Sequence, residues 1–489
     1  MVSFNKIPAN LRVPLFYAEF DNSNANQGGA NQGYLALLIG QRKSTGTKAA
    51  LTNHLITSAE QAQEYFGIGS MLADQAEAFL NNTKSIPLYC ISLDDNVAGV
   101  KASGSIAFVG APTKNGTISF MIGGKNIQIS ALTTDTAITL ATKLIAAVNA
   151  ETKALVTALV DGVDAFKVNL TYAHKGEVGN QMDIRHSYFF GEELPAGVTI
   201  TIVAMNGGTA NPDVDTAFAA LGETQYILMS TPYVDASNLG KIETELDDRF
   251  GPLRGNDGYN ITAKKESLSN LNVLGNSRNS QFNTILQAAG PSSPHQFAAA
   301  ALAQIALSAS IDPARPFQTL KLVGIYAPIE SELLTLEERD ILLHNGISTF
   351  FVDSGANVLL EGIITTYKKN AFNAPDESYL YLNVPLTLSY LRFDLKVTIT
   401  SKYPRHKLAN DGTRFDPGQA VVTPNVIKAE VVNKFREWEE KALVENFDQF
   451  MNDIIVERNS TNKNRLDILL PPDLVNQLVI VGTKIQFLL

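Results

Sequence analysis

The chain has 489 residues, of which 45% are apolar and 18% charged, and a formal net charge of −10. This length asks for several domains, the composition is that of a packed globular protein and not a disordered one, and the acidic balance argues against nucleic acid as a partner. One cysteine, Cys90, excludes an internal disulfide. The opening residues lack the basic start and apolar core of a secretion signal, and no run reaches 18 uninterrupted apolar residues, so synthesis in a cytoplasm and no membrane insertion are expected.

Residues 1–20 read as an extended arm: Pro8 and Pro14 disfavour a helix, and Val13, Leu15, Tyr17 and Phe20 give strand-like patterning. The polar, Gly/Asn-rich segment 21–33 reads as a flexible linker, able to span roughly 45 Å when extended. YLALLIG at 34–40 has the pattern of a buried strand. Helices are expected after Ser58, a good N-cap, and over about 70–81, and a strand over 86–93. This alternation predicts an α/β domain. Residues 101–210 change character. GTISFMIGGKNIQIS is a hairpin around Gly123-Gly124, followed by a helix over about 135–150 and strands over 165–172 and 197–204; the segment reads as a small α+β insertion closed by GGTANPD at 207–213.

The α/β pattern then resumes, with strands predicted at 226–230, 273–275, 320–326 and 346–355 and helices at 239–250 and 294–309. Thr423-Pro424 opens what reads as the longest helix. Its apolar stripe (Ile427, Val431, Phe435, Trp438, Phe447, Phe450, Met451, Ile454) carries it to about residue 456. Pro471-Pro472 forbids helix continuation, and residues 478–489 read as two short strands kinked at Gly482, with Leu478, Ile480, Ile485 and Phe487 as the apolar positions of a C-terminal arm.

A search for chemistry assigns no catalytic, cofactor-binding or metal-ligating residue. HExxH and GxSxG are absent, and one cysteine cannot make CxxC. GQRKSTGTK at 40–48 follows a strand as a phosphate loop would, but no glycine is followed directly by Lys and Ser/Thr, so it reads as a polar loop. None of His54, His174, His186, His295, His344 and His406 is spaced four residues from another histidine. The turns at 256–258 and 353–357 match no calcium loop. A triad assembled from distant residues is still open to a fold of this class.

Several segments together resemble the tail sheath family of Mu-like contractile bacteriophages: IPANLRVPLFYAEFDNSNA (7–25), FGIGSMLA (66–73), HKGEVGNQMDIR (174–185), GISTFFVDSG (346–355), ITTY (364–367), YLRFDL (390–395), KYPRHKLANDGTRFDPGQAVVTP (402–424) and NRLDILLPPDLVNQL (464–478). The resemblance implies a discontinuous subtilisin-like α/β sheath core over 34–100 and 211–379 without protease activity. It also implies an insertion over 101–210 displayed outward and an α+β C-terminal domain over 380–474 forming the inner mesh. Terminal arms, 1–33 and 475–489, would add strands to a neighbouring subunit. The expected function is a structural subunit that polymerises around the tail tube and contracts to drive it through the host envelope. No cofactor is expected. The expected partners are other copies of the chain, the tail tube protein, and baseplate and tail terminator proteins, in a virion tail assembled in the bacterial cytoplasm. The sheath of a phage-tail-like bacteriocin or injection device fits the same residues. A subtilisin-fold hydrolase and a monomeric surface-binding module are the readings from other classes.

Overall fold

Every position of the run ALLIGQ is buried, which suits a strand whose sheet is covered on both faces. This run is β1 (Ala36–Gln41) in the computed structural model, which describes residues 32–488. The chain then lays β2 (Asn53–Ile56) at a sheet edge, forms α1 (Ala59–Phe66) and α2 (Met71–Asn82), and returns as β3 (Leu88–Leu93), parallel to β1. The predicted Ser58 cap is in place, and Ser70 caps α2 in the same way: their hydroxyls accept from the amides of Gln61 and Ala73.

The segment expected as an insertion is pinned at its neck by paired backbone bonds between Val100 and Thr209. It contains β4 (Lys101–Gly110), β5 (Gly116–Ile122), β6 (Lys125–Ala131), α3 (Ala137–Ala150), β7 (Val156–Val160), β8 (Lys167–Lys175), β9 (Ile184–His186) and β10 (Val198–Asn206). Gly123 and Gly124 both take positive φ (56° and 79°), as the tight β5–β6 turn requires. Two antiparallel sheets result, ordered β10-β4-β8-β7 and β6-β5-β9, with Phe108 of one set edge-on to Phe120 of the other. The buried cluster does not stop there. It runs continuously from Ile106, Phe120 and Leu144 into Leu37, Phe79 and Leu286 of the main sheet, so this segment has no core separate from the rest.

Beyond it come α4 (Asp215–Leu221), β11 (Leu228–Ser230), α5 (Ala236–Phe250), β12 (Tyr259–Lys264), α6 (Leu268–Asn276), β13 (Asn283–Gln287), α7 (Pro294–Ile311), α8 (Leu336–His344), β14 (Ile347–Val352) and β15 (Val358–Gly362). The completed sheet is ordered β15-β14-β13-β12-β11-β1-β3-β2, parallel from β14 to β3 with an antiparallel strand at each edge. The chain winds outward from β1 in both directions, so the predicted α/β class holds. α7 is buried nearly all round. Its alanines (Ala298 to Ala301, Ala303, Ala306) let it pack closely where a bulkier helix would not fit.

The last elements are α9 (Asn383–Lys402), β16 (Lys407–Leu408), β17 (Val421–Val422), α10 (Pro424–Glu440), β18 (Val444–Glu445), α11 (Phe447–Asp453), β19 (Ile455–Arg458), β20 (Leu466–Leu469) and β21 (Asp473–Leu474). The chain divides into a larger unit (Tyr34–Ser389, Ala442–Glu445 and the chain from Asp473) and a smaller one, which includes Tyr390–Lys441 and Asn446–Pro472. In the smaller unit α10 is capped as predicted by Thr423, with Pro424 in its first turn. It buries Phe435, stacked on Phe450 at 3.9 Å between centroids, and Trp438. The Trp438 indole N–H donates to the buried Asp394 carboxylate at 2.7 Å, with Lys434 Nζ 3.4 Å from the same group.

Several predicted elements differ. Residues 273–275 lie inside α6, which Ser267 caps, and are not a strand. Residues 320–326 make a single bridge, Lys321 to Leu359, and Gly324 at φ 82° turns the chain away. The helix after Thr423 ends at Glu440, because Ala442 and Asn446 adopt left-handed backbone (φ 54° and 61°); α11 is a separate helix. The longest helix is α9, at 20 residues. Residues 475–488 form no strand.

Asp394→Ala would leave the indole N–H buried without its acceptor, while Lys434 keeps its 2.5 Å pair with Glu437, a loss of about 1–3 kcal/mol. Because Trp438 is the chain's one tryptophan, urea unfolding followed by its fluorescence reads the smaller unit directly, and its midpoint should fall accordingly.

Candidate functional site

Two buried histidines, His174 and His295, sit where the insertion meets the main sheet, each against a carboxylate. On β8, His174 places Nδ1 3.2 Å from Asp95 Oδ1, and its Nε2 accepts from the Met71 amide at the start of α2 at 3.0 Å. That amide fixes the tautomer: Nε2 is bare and Nδ1 carries the proton. Gln41 Nε2 and the Lys175 amide also donate to Asp95. His295 Nε2 lies 2.9 Å from Asp74 Oδ2, and Lys125, just beyond the β5–β6 turn, places Nζ 3.2 Å from Asp74 Oδ1. A third group joins Asp183 to Lys265 (2.6 Å) and Arg185 to Glu332 (2.8 Å).

These groups hold insertion to core; they do not form a hydrolytic site. A Ser-His-Asp triad needs a hydroxyl on the imidazole nitrogen that the carboxylate leaves free. In His174 that nitrogen is occupied by a backbone amide, and in His295 it has no partner among the described residues. No group of three His, Cys, Asp or Glu among the described residues could hold a metal, and no described helix is long and apolar enough to cross a membrane. Cys90 is buried, and burial pushes its thiol up, away from the reactive thiolate.

The electrostatics follow burial and pairing. Burial opposes the Asp74 charge, but Lys125 and the His295 hydrogen bond outweigh it and hold the carboxyl below its ordinary range. Desolvation lowers the His174 pKa, with Lys43 and Lys101 adding to it and Asp95 opposing it. A histidine with a lowered folded pKa stabilises the fold above its ordinary value, about 6.5, because on acidification the unfolded chain takes up the proton first. Stability should therefore fall as pH drops from 7.5 to 5.5. His174→Gln, which can still accept from Met71 and donate to Asp95, should flatten that slope. Thermal midpoints across the range check this, the difference between variants removing the contributions of His54 and His186.

The predicted C-terminal arm has a different character. β21 pairs antiparallel with β18, and the Val475 amide donates to Leu443 O at 3.2 Å. From there the ladder ends. Leu478, Ile480, Ile485 and Phe487 are between 71 and 85% exposed, and Leu478 O accepts from Gln318 Nε2 at 3.4 Å. Apolar residues this exposed in one continuous segment contribute nothing to their own core. The predicted N-terminal positions Val13, Leu15, Tyr17 and Phe20 lie outside the described residues. Sequence reasoning missed the junction residues Asp74, Lys125 and His295, since they are far apart along the chain. His174 did fall inside a motif already singled out, HKGEVGNQMDIR.

Residues 207–366 match the phage tail sheath protein central domain, and residues 374–487 match the phage tail sheath C-terminal domain. The Mu-like prophage FluMu tail sheath protein of Haemophilus influenzae is 40% identical over 489 residues, covering all of both chains. Among solved structures, a sheath tail protein of Desulfitobacterium hafniense aligns with a TM-score of 0.49 at 12% identity, over 96% of this chain and 97% of that one. One of Listeria innocua aligns with a TM-score of 0.49 at 14% identity, over 91% and 93%.

Proposed function

The chain belongs to the phage tail sheath family, and we propose that it polymerises around a tail tube, linked from copy to copy by its terminal segments, and contracts to drive the tube through a host envelope. The observation that carries the linkage is the C-terminal segment beyond β21: a backbone without a ladder, bearing Leu478, Ile480, Ile485 and Phe487 in the open. Such a segment gains by adding as a strand to an exposed sheet edge of another copy, where alternate side chains are covered and the main chain is satisfied. Each bond contributes about 0.5–1.5 kcal/mol net, so a few per subunit, repeated through a polymer, hold it together. On this reading residues 1–20 form a second link on the tether of residues 21–33. The chain has no enzymatic role and needs no cofactor. Its partners are its own copies, the tube protein, and the baseplate and terminator proteins, in a virion tail assembled in the bacterial cytoplasm.

Truncation after Val475 keeps the β18–β21 pair and its flanking bond. The truncated chain should stay soluble and keep its thermal transition, yet form no tubes in negative-stain micrographs. Tubes of normal length from this variant would sink the proposal. Halving the linker at 21–33 leaves every arm residue in place but cuts its reach to roughly 20 Å. It should block assembly or confine the sheath to one state, and sheaths that extend and contract normally would rule out a tethered N-terminal link.

A further inference from the structure

We infer that the loop after β1 and the facing strands of the insertion form a binding site for a small oxyanion of the phosphate class. The loop is the GQRKSTGTK segment whose spacing matches no phosphate motif. In the fold it leaves the carboxyl end of β1, the side of a parallel sheet where ligands collect. It opens onto a cleft of about 380 Å³ lined by Arg42, Lys43, Ser44 and Thr45 from the loop and by Lys101 and Thr157 from β4 and β7.

The charges in this cleft do not cancel within the chain. Its two aspartates are taken: Asp94 is bound by Arg42 at 2.8 Å, and Asp95 accepts from Gln41, His174 and the Lys175 amide. Lys43 and Lys101 are left. Lys43 Nζ donates to one acceptor, Ile68 O at 3.0 Å, and among the described residues neither lysine has a carboxylate within ion-pair distance. Burial, and then the charge of Lys101, push the Lys43 pKa below its ordinary value. Two ammonium groups lining one cleft, one of them half-buried, are costly to hold in a chain with 49 acidic and 39 basic residues, where a carboxylate partner would be easy to supply. An oxyanion relieves the repulsion and satisfies the spare N–H donors, with the hydroxyls of Ser44, Thr45 and Thr157 at hand. No Phe, Tyr or Trp lines the cleft to stack a base, so the phosphate group itself is the ligand and not a nucleotide.

The test is thermal unfolding of the full chain, titrated with sodium phosphate to about 10 mM while sodium chloride holds ionic strength constant. A saturable rise of roughly 2–4 °C is expected for the wild type and none for the double variant Lys43→Met/Lys101→Met. In phosphate-free buffer the single variant Lys101→Met, which keeps the Lys43–Ile68 bond, should melt at or above the wild type, because a repulsion has been removed; a merely structural role for that lysine would lower its midpoint. Sulfate should reproduce the phosphate effect. The inference fails if phosphate gives a non-saturating rise or the same rise in both proteins, as general salt exclusion would. It fails equally if Lys101→Met is destabilised without phosphate, or if acetate matches phosphate.

Discussion

The larger unit is organised by one constraint: β1 is buried at all six positions and must be covered on both faces and at its ends. Parallel neighbours β3 and β11 satisfy its backbone. α2 and the Ala-rich α7 pack against the sheet and against each other. The insertion, leaving just after β3, shares the same apolar cluster. A sheet built outward from one fully buried strand cannot slip register without moving every apolar residue out of place, so it behaves as a rigid body.

The ionic contacts between insertion and core add direction to that apolar contact. Burying Asp74, Lys125 and His295 together costs desolvation that their attraction only partly returns, so they are a weak source of net stability. What they contribute is geometry. An apolar interface tolerates sliding, whereas Asp74 is satisfied only when the β5–β6 turn and the start of α7 are both in place. The His174 imidazole likewise bridges α2 and Asp95 through two different nitrogens. The insertion is thereby held as part of the core and does not hang from it.

Much of this architecture was legible in the sequence. Capped helices with clear starts (α1, α2, α7, α10) and apolar strands (β1, β3, β14) were readable because local chemistry and tertiary role agree. The failures come where they conflict. β12 and β13 went unseen because central positions carry Asn260, Thr262, Asn283 and Thr284, which read as polar loop but are buried in the sheet. In α9, Leu391, Phe393, Leu395, Val397 and Ile399 alternate with polar residues as in a strand, yet the segment is helical. Tertiary packing overrides both patterns. The exposed apolar positions of the C-terminal segment could be named from the sequence. The junction residues could not, because Asp74 and His295 are 221 positions apart.

If the terminal segments link copies as proposed, the force for contraction must come from other surfaces. If strands donated between copies persist in the extended and contracted sheath, they add the same free energy to both states. An interaction equal in two states cannot shift the balance between them. On the proposed reading the links keep copies together, and the drive has to come from faces that are open in one packing and covered in the other. The larger unit offers such material in Phe190, Leu253 and Phe372, each almost wholly exposed on a loop. Phe372 is held by a turn in which Asn370 Oδ1 accepts from the amides of Phe372 and Ala374, so little conformational freedom remains to be lost on docking. A rigid core displaying ordered apolar loops, if tethered to its neighbours as proposed by segments that do not care which packing is adopted, can store a transition in its subunit contacts without a nucleotide.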